Sequence, residues 1–138
     1  MVTHAYALIR DESTFFVVQV KHLLESVEFN GIYNLPGGKV EEFETIQDAV
    51  VRETQEETGY VVTLMSDQPL FHSEFTLQET HDYYVFDAKI VGGIFKIAED
   101  EISDTAWVNI SQFRSNWSTY PVPEKIVTVV DSFLNSII

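Results

Sequence analysis

The chain has 138 residues, 45% of them hydrophobic, and its 22 Asp and Glu outnumber its eight Lys and Arg to give a formal net charge of −14. This length and apolar content predict one domain, residues 1–138. The lack of cysteine excludes disulfides, thiolate catalysis and cysteine-ligated metal sites. The acidity disfavours nucleic-acid polymers and anionic membranes as partners. With no apolar run near the roughly 20 residues of a membrane span and no signal-peptide pattern, we expect a soluble cytoplasmic protein.

Two β-rich runs open the chain, residues 4–10 and 14–20, and a short polar turn separates them. This arrangement predicts a β-hairpin. The segment Leu35-Pro36-Gly37-Gly38 follows further along the chain. Its Pro-Gly-Gly punctuation predicts a loop.

A helical pattern runs from Thr45 to about Thr58. Thr45 with Asp48 three residues later resembles a capping box in which Asp replaces the usual Glu or Gln. An apolar stripe follows at offsets 0, 3 and 4, formed by Ile46, Ala49 and Val50. Gly59 supplies the stop signal, so the pattern predicts one helix between these limits.

The second half of the chain predicts strands at residues 69–75, 83–91 and 94–98, with Gly92-Gly93 as the turn between the last two. Beyond Pro121 and Pro123, apolar residues at helical spacing predict a second helix; they are Ile126, Val130, Phe133, Leu134 and Ile137. Helices combined with a mixed sheet indicate an α/β domain with a layered core.

The most informative segment reads Gly38, five residues, Glu44, seven residues, Arg52-Glu53, two residues, Glu56-Glu57, one residue, Gly59. Glu53, Glu56 and Glu57 share one helix face, which overlaps the apolar stripe. Their mutual repulsion and partial burial are unfavourable, and a hard divalent cation with oxygen ligands offsets both. The array therefore suits metal-assisted attack on phosphorus.

Most Glu-rich helices are simply solvated, and that alternative applies to any acidic helix. Here seven residue identities stand at set spacing. At average residue usage, a chance match is on the order of one in 10⁸ per starting position. The functional interpretation is therefore favoured over the solvated one.

The segment from Gly38 to Tyr60 resembles the signature of the Nudix hydrolase family, Gly-x5-Glu-x7-Arg-Glu-(apolar)-x-Glu-Glu-x-Gly-(apolar), with every charged and glycine position present. Residues 35–38 match the family's approach to the signature, and Glu101, six residues before Trp107, resembles its downstream acid. The resemblance implies the Nudix fold, a mixed β-sheet sandwiched between helices (α/β/α). It also implies a pyrophosphohydrolase that cleaves a diphosphate linkage in a nucleoside di- or triphosphate or a related nucleotide derivative.

Carried over by position, the resemblance implies Mg²⁺, or Mn²⁺ in its place, as the cofactor. The implied metal-binding set is Gly37, Gly38, Glu44, Glu53, Glu56, Glu57 and Glu101. The implied catalytic set is Glu53, Glu56, Glu57, Arg52 and Glu101. Within this catalytic set, Arg52 would orient the carboxylates. Glu53 and Glu101 are equally favoured as the acceptor of the water's proton. Glu44 would brace the loop before the helix.

The sequence departs from the family pattern at three positions. Thr54 and Tyr60 stand where aliphatic residues are usual, and Phe43 stands where many members have Gly. A bulky residue at position 43 is strained if the backbone there needs a positive φ.

Other residues give weaker signals. The histidines His4, His22, His72 and His81 lack metal-like spacing, which favours ordinary structural roles. The sequence allows a role in stacking on a nucleobase for four aromatic residues, Tyr33, Tyr83, Phe86 and Trp117. It also allows a homodimer. The alternative function is a non-catalytic nucleotide sensor with a Nudix fold, and the intact carboxylate set favours the enzyme.

Overall fold

The computed structural model describes residues 1–20 and 33–109, together with Thr128, Asp131 and Ser132. Its elements are β1 (Val2–Asp11), β2 (Thr14–Val20), β3 (Tyr33–Asn34), β4 (Gly37–Lys39), α1 (Ile46–Thr58), β5 (Tyr60–Leu64), β6 (Phe71–Leu77), β7 (Glu79–Gly93) and β8 (Ile102–Asn109). No helix among these residues is long and apolar enough to cross a membrane. Of the predicted C-terminal helix, Thr128, Asp131 and Ser132 are helical, and its apolar stripe lies outside the described residues.

Strand β1 organises the sheet because it has three partners. It pairs antiparallel with β2 at its end, from Arg10↔Phe15, which confirms the predicted hairpin. It pairs antiparallel with β4 and, along most of its length, parallel with β7. The strand order is β3-β2-β1-β7-β5, with β4, β6 and β8 attached to β1, β7 and β2. The sheet is therefore mixed, as predicted.

Apolar side chains fill both faces of this sheet. The helix-side cluster joins small and large residues of the strands to Ala49 and Val50 of α1; it contains Ala5, Ala7, Ile9, Phe16, Val18, Ala49, Val50, Val62, Phe86, Ala88 and Ile102. The opposite cluster contains Leu8, Phe15, Val17, Tyr33, Leu35, Tyr83, Val85 and Val108. Because side chains alternate along a strand, β1 contributes to both, and its alanines let α1 approach the sheet closely.

Helix α1 begins and ends as predicted. The Thr45 hydroxyl accepts a hydrogen bond from the Asp48 N–H at 3.0 Å, and Gly59 closes the helix at φ 78°. The buried Thr54 and Thr58 hydroxyls donate to backbone carbonyls one turn earlier, each at 2.7 Å. Thr54 therefore replaces the usual aliphatic residue without leaving an unsatisfied polar group.

The predicted hairpin at Gly92-Gly93 was wrong. Strand β7 runs straight through to Gly93, and residues 94–98 form no strand. Their N–H groups bond instead to the end of α1, with Lys96 donating to Thr58 O at 2.8 Å and Ala98 to Glu57 O at 3.0 Å. Gly93 adopts φ 87° because another backbone, at Gly59, lies against it.

One loop assignment changes, and two strands were not predicted. The predicted loop at residues 35–38 contains the start of β4, in which Gly37 and Gly38 pair with Tyr6 and Ala5 of β1. Strands β5 and β8 carried no prediction, and they pair with β7 and β2. Both misassignments concern residues whose strand partners are distant in sequence.

Phe43 adopts the strained backbone that the sequence signalled. Its φ is 68° and its side chain is 99% exposed, so the ring gains nothing from packing. The turn is fixed from both sides, because the Glu44 N–H donates to Glu41 O at 3.2 Å and the Glu41 N–H donates to Glu44 Oε1 at 3.0 Å. The loop therefore holds Phe43 in a conformation that suits glycine.

Replacing Phe43 with Gly should stabilise the protein by about 0.5–1 kcal/mol, because relief of the left-handed strain exceeds the added entropy of the unfolded chain. Urea unfolding measures the gain. Phe43→Ala is the control, since it removes the exposed ring but keeps the strained Cβ. Equal gains in the two variants would assign the effect to the ring and contradict the strain.

Candidate active site

Glu57 lies buried between α1 and β4. The residue is 6% exposed, and its Oε1 accepts a hydrogen bond from the Gly37 N–H at 2.8 Å. Burial raises the pKa of Glu57 to about 8; the Gly37 hydrogen bond opposes the rise, and the charges of Glu53, Glu101 and Glu56 add to it. At neutral pH this carboxyl therefore holds a proton unless a cation replaces it.

Glu53 lies one turn before Glu57 and against the second glycine of β4. A Cβ added to Gly38 would lie 2.9 Å from the Glu53 carboxyl carbon, so only glycine leaves room for this contact. Burial raises the pKa of Glu53; the neighbouring Arg52 opposes the rise, and the charges of Glu56 and Glu101 reinforce it.

Arg52 connects the loop before the helix to the carboxylates on the helix. Its Nε donates to Glu44 Oε2 at 2.7 Å and its Nη2 to Glu44 Oε1 at 3.0 Å, a bidentate pair. Its Nη1 donates to Glu53 at 3.2 Å and Glu56 at 3.1 Å, and its Nη2 also reaches Lys39 O at 3.2 Å. The Arg52 hydrogen bonds lower the pKa of Glu44. One guanidinium thus bonds to three carboxylates, and a fourth, that of Glu41, lies 3.7 Å from its Nη1.

Glu101 reaches the same region from the other end of the helix. The Ala98 N–H bonds to Glu57 O, and the Ala98 carbonyl then accepts from the Glu101 N–H at 2.9 Å. The Glu101 charge raises the pKa of both Glu53 and Glu57. The structure therefore brings Glu101 within electrostatic range of the helix carboxylates.

The predicted residues converge without forming a closed ligand cage. Within residues 1–20 and 33–109, no three His, Asp or Glu side chains are arranged to hold a metal ion. Glu53 and Glu56 face Arg52, whereas Glu57 faces the Gly37 amide. The donor set nevertheless fits a hard divalent cation. Glu53 and Glu56 share the Arg52 guanidinium, and the buried Glu57, with a pKa of about 8, lies beside them without bonding to it.

Tyr6 belongs to the site although no sequence pattern predicted it. This tyrosine of β1 lies against Gly37, where an added Cβ would come within 2.7 Å of its ring, and it stacks on Tyr83 at 4.6 Å. Burial raises the pKa of Tyr6 well above its ordinary value, and the charges of Glu57 and Glu53 add to the effect. Only the pairing of β1 with β4 brings Tyr6 to the site, so no local pattern could have identified it.

The remaining candidates lie in the core or on the surface. Tyr33, Tyr83 and Phe86 are buried in the core, and the Tyr33 hydroxyl donates to Asp104 at 2.5 Å. His4 stacks on His81 with their ring nitrogens 3.1 Å apart, and His72 bonds to Asp82 at 3.1 Å; these structural contacts agree with the predicted roles. Trp117 and His22 lie outside the described residues.

The family model of the NUDIX domain matches residues 2–128. This chain belongs to the NUDIX family. Every carboxylate described above lies within the matched part of this Nudix domain. Nudix hydrolases generally use a divalent metal ion, which agrees with the chemistry of the cluster.

Three curated relatives align with part of the chain. "Putative nudix hydrolase 1" of Caenorhabditis elegans is 42% identical over 91 residues, 62% of this chain and 23% of that protein. "ADP-ribose pyrophosphatase" of Methanocaldococcus jannaschii is 38% identical over 73 residues, 52% of this chain and 43% of that protein. "Putative 8-oxo-dGTP diphosphatase" of Bacillus subtilis is 32% identical over 78 residues, 56% of this chain and 50% of that protein. The chain thus spans half or less of these relatives' lengths.

Solved structures agree on the fold. The MutT protein of Methanosarcina mazei Go1 has a TM-score of 0.76 and 26% identity, covering 98% of this chain and 94% of its own. A NUDIX hydrolase from Nitrosomonas europaea has a TM-score of 0.78 at 18% identity, covering 98% and 89%. The predicted α/β Nudix fold is confirmed.

Glu57 should make the stability of the metal-free protein depend on pH. Its folded pKa of about 8 exceeds the ordinary 4.5, so the folded chain keeps a proton that the unfolded chain releases. The stabilisation is complete below about pH 4.5 and is lost as the pH rises through about 8, by at most about 5 kcal/mol. Glu57→Gln should remove most of this slope in chelator, measured by chemical unfolding across that range. Glu74→Gln, an exposed acid of β6, is the control, and equal slopes in both variants would contradict the assignment.

Proposed function

We propose that this Nudix domain is a metal-dependent pyrophosphohydrolase. The substrate is a nucleoside di- or triphosphate or a related nucleotide derivative, and water attacks one phosphorus of its diphosphate linkage. The observation that carries the proposal is the buried Glu57 carboxyl, which accepts a hydrogen bond from the Gly37 amide and lies beside Glu53 and the β4 glycines. So many carboxylates around one arginine stabilise the fold poorly, and they suit a bound cation well.

The cofactor we propose is Mg²⁺, with Mn²⁺ as a substitute. Glu53, Glu56 and Glu57 would hold it, with assistance from the Gly37 or Gly38 carbonyl and from Glu101. When bound, the ion supplies charge neutralisation at the phosphoryl oxygens and a more acidic water. Glu44 has both oxygens engaged by Arg52, so we assign it the role of a brace and any contact with metal only through water.

Side chains of the protein itself would orient the carboxylates and accept the proton of the attacking water. Arg52 fixes the directions of Glu53 and Glu56 by donating to both, while its bond to Glu44 holds it in place. Glu53 and Glu101 are the two candidates to accept the proton of the attacking water. The pKa of Glu53 is raised by burial, which favours proton transfer near neutral pH.

The names of the relatives support a nucleotide diphosphate linkage as the substrate feature. One is named for ADP-ribose and another for 8-oxo-dGTP, and both compounds contain a phosphoanhydride. We therefore place oxidised or ordinary nucleoside triphosphates first and nucleotide sugars or ADP-ribose next.

A release assay tests the reaction class. Incubation with Mg²⁺ and a panel of dGTP, 8-oxo-dGTP, ADP-ribose and a UDP-sugar should release phosphate, pyrophosphate or a nucleoside monophosphate from at least one member. Added inorganic pyrophosphatase identifies which linkage is cut. Excess chelator should abolish the release, and full turnover in chelator would exclude the mechanism. Binding of a panel member without any release would instead favour the sensor.

Glu56→Gln should lower turnover by at least about 10³-fold, because it removes one carboxylate from the centre where charge develops. Glu56 is half exposed and bonds to Arg52 at the surface, so the loss of stability should stay within about 1 kcal/mol. Glu74→Gln removes one exposed charge elsewhere and should leave turnover unchanged. A Glu56→Gln enzyme with near-parental turnover would show that the metal lies elsewhere.

A further inference from the structure

Gly93 and Gly59 meet backbone to backbone where β7 ends beside α1. A Cβ added to Gly93 would lie 2.2 Å from the Gly59 carbonyl oxygen and 2.8 Å from Val61 N. A Cβ added to Gly59 would lie 2.0 Å from Ile94 O. The obstacles are backbone atoms, so no side-chain rotation can relieve them. Gly92, the preceding residue, has nothing within 4 Å of the same position.

This contact begins a series of backbone bonds that leads to Glu101. After Gly93, the Lys96 N–H bonds to Thr58 O at 2.8 Å and the Ala98 N–H to Glu57 O at 3.0 Å. These carbonyls belong to the last turn of α1, where helix carbonyls lack partners within the helix. The Ala98 carbonyl then accepts from the Glu101 N–H at 2.9 Å and the Ile102 N–H at 2.7 Å.

We propose that Gly93 is a positioning residue for the candidate metal centre. By letting residues 93–98 lie directly on the end of α1, it sets the position of Glu101 relative to Glu53 and Glu57. This inference rests on the proposed function, because the position of Glu101 matters only if Glu101 takes part in the site. Gly93 itself acts through backbone contacts and touches neither substrate nor metal.

If a side chain at position 93 pushed the backbone aside, the arrangement of the β5–β7 ladder would direct that displacement toward Glu101. The β5–β7 ladder shifts register between Val61, paired with Gly92, and Val62, paired with Ile90. Beyond Val61, Val62 and Ala88 belong to the helix-side cluster and Leu64 and Ile90 pack against it, whereas Ile94 is 85% exposed. A side chain at position 93 therefore moves the exposed segment more easily than the core strands.

The test is a double-mutant cycle with a matched control. Gly93→Ala and Gly92→Ala are each made in the parent and in Glu101→Gln, and the affinity for Mn²⁺ alone is measured by electron paramagnetic resonance without substrate. We expect Gly93→Ala to weaken Mn²⁺ binding about 10-fold, as the loss of an outer support does, and Gly92→Ala to leave it unchanged. In the Glu101→Gln background, Gly93→Ala should add nothing further.

Two outcomes overturn the inference: parental Mn²⁺ affinity in Gly93→Ala, or equal losses with and without Glu101. If Glu101→Gln alone changes neither Mn²⁺ affinity nor turnover, Glu101 takes no part in the site and the inference about Gly93 fails as well. The reaction class is then still decided by the release assay. Hydrogen exchange of the metal-free protein gives a second readout, in which Gly93→Ala should expose the Lys96 and Ala98 amides while α1 stays protected. Should Gly93→Ala not fold, Lys96→Pro removes the Lys96–Thr58 hydrogen bond and leaves the Gly59–Gly93 contact intact, and the same results are expected.

Discussion

The crowding of carboxylates around a single guanidinium is the constraint on which the rest of the molecule depends. Arg52 bonds to Glu44, Glu53 and Glu56, while Glu57 accepts from the Gly37 amide and keeps its own proton near neutral pH. A cluster of this kind lowers stability in proportion to the charge it keeps ionised. The fold tolerates it because the helix-side cluster and the parallel β1–β7 pairing stabilise the elements beneath it.

The elements around the cluster approach one another unusually closely, and small residues make this possible. Ala5 and Ala7 bring β1 close to α1, Gly37 and Gly38 bring β4 against Tyr6 and Glu53, and Gly59 meets Gly93. At Gly59 and Gly93 the contact is backbone against backbone, which fixes position more narrowly than a flexible side chain could. The strain at Phe43 is confined to its loop, because the Glu41–Glu44 turn holds the backbone there from both sides.

Local chemistry made α1 predictable from sequence, from the Thr45 cap to the Gly59 stop, together with the carboxylates that share its face. The β1–β2 hairpin was predictable for the same reason, because its signals lie within adjacent residues. The Gly92-Gly93 turn failed because a glycine pair marks either a reversal or a close approach of another backbone, and only the tertiary structure distinguishes them. Tyr6 was not predicted for a similar reason, because its neighbours at the site come from β4 and α1, which are distant from it in the sequence.

The acidity of the chain affects how an anionic substrate can bind at this site. With a formal charge of −14, the protein repels the polyphosphate of any nucleotide unless positive charge is supplied at the point of contact. Arg52 cannot supply it, because its donors are taken up by carboxylates and by Lys39 O. Under the proposed function, a divalent cation on the glutamates offsets most of this local negative charge, so metal binding and substrate binding should be coupled. Under the proposed function, the metal therefore contributes to the affinity for an anionic substrate as well as to the rate of its reaction.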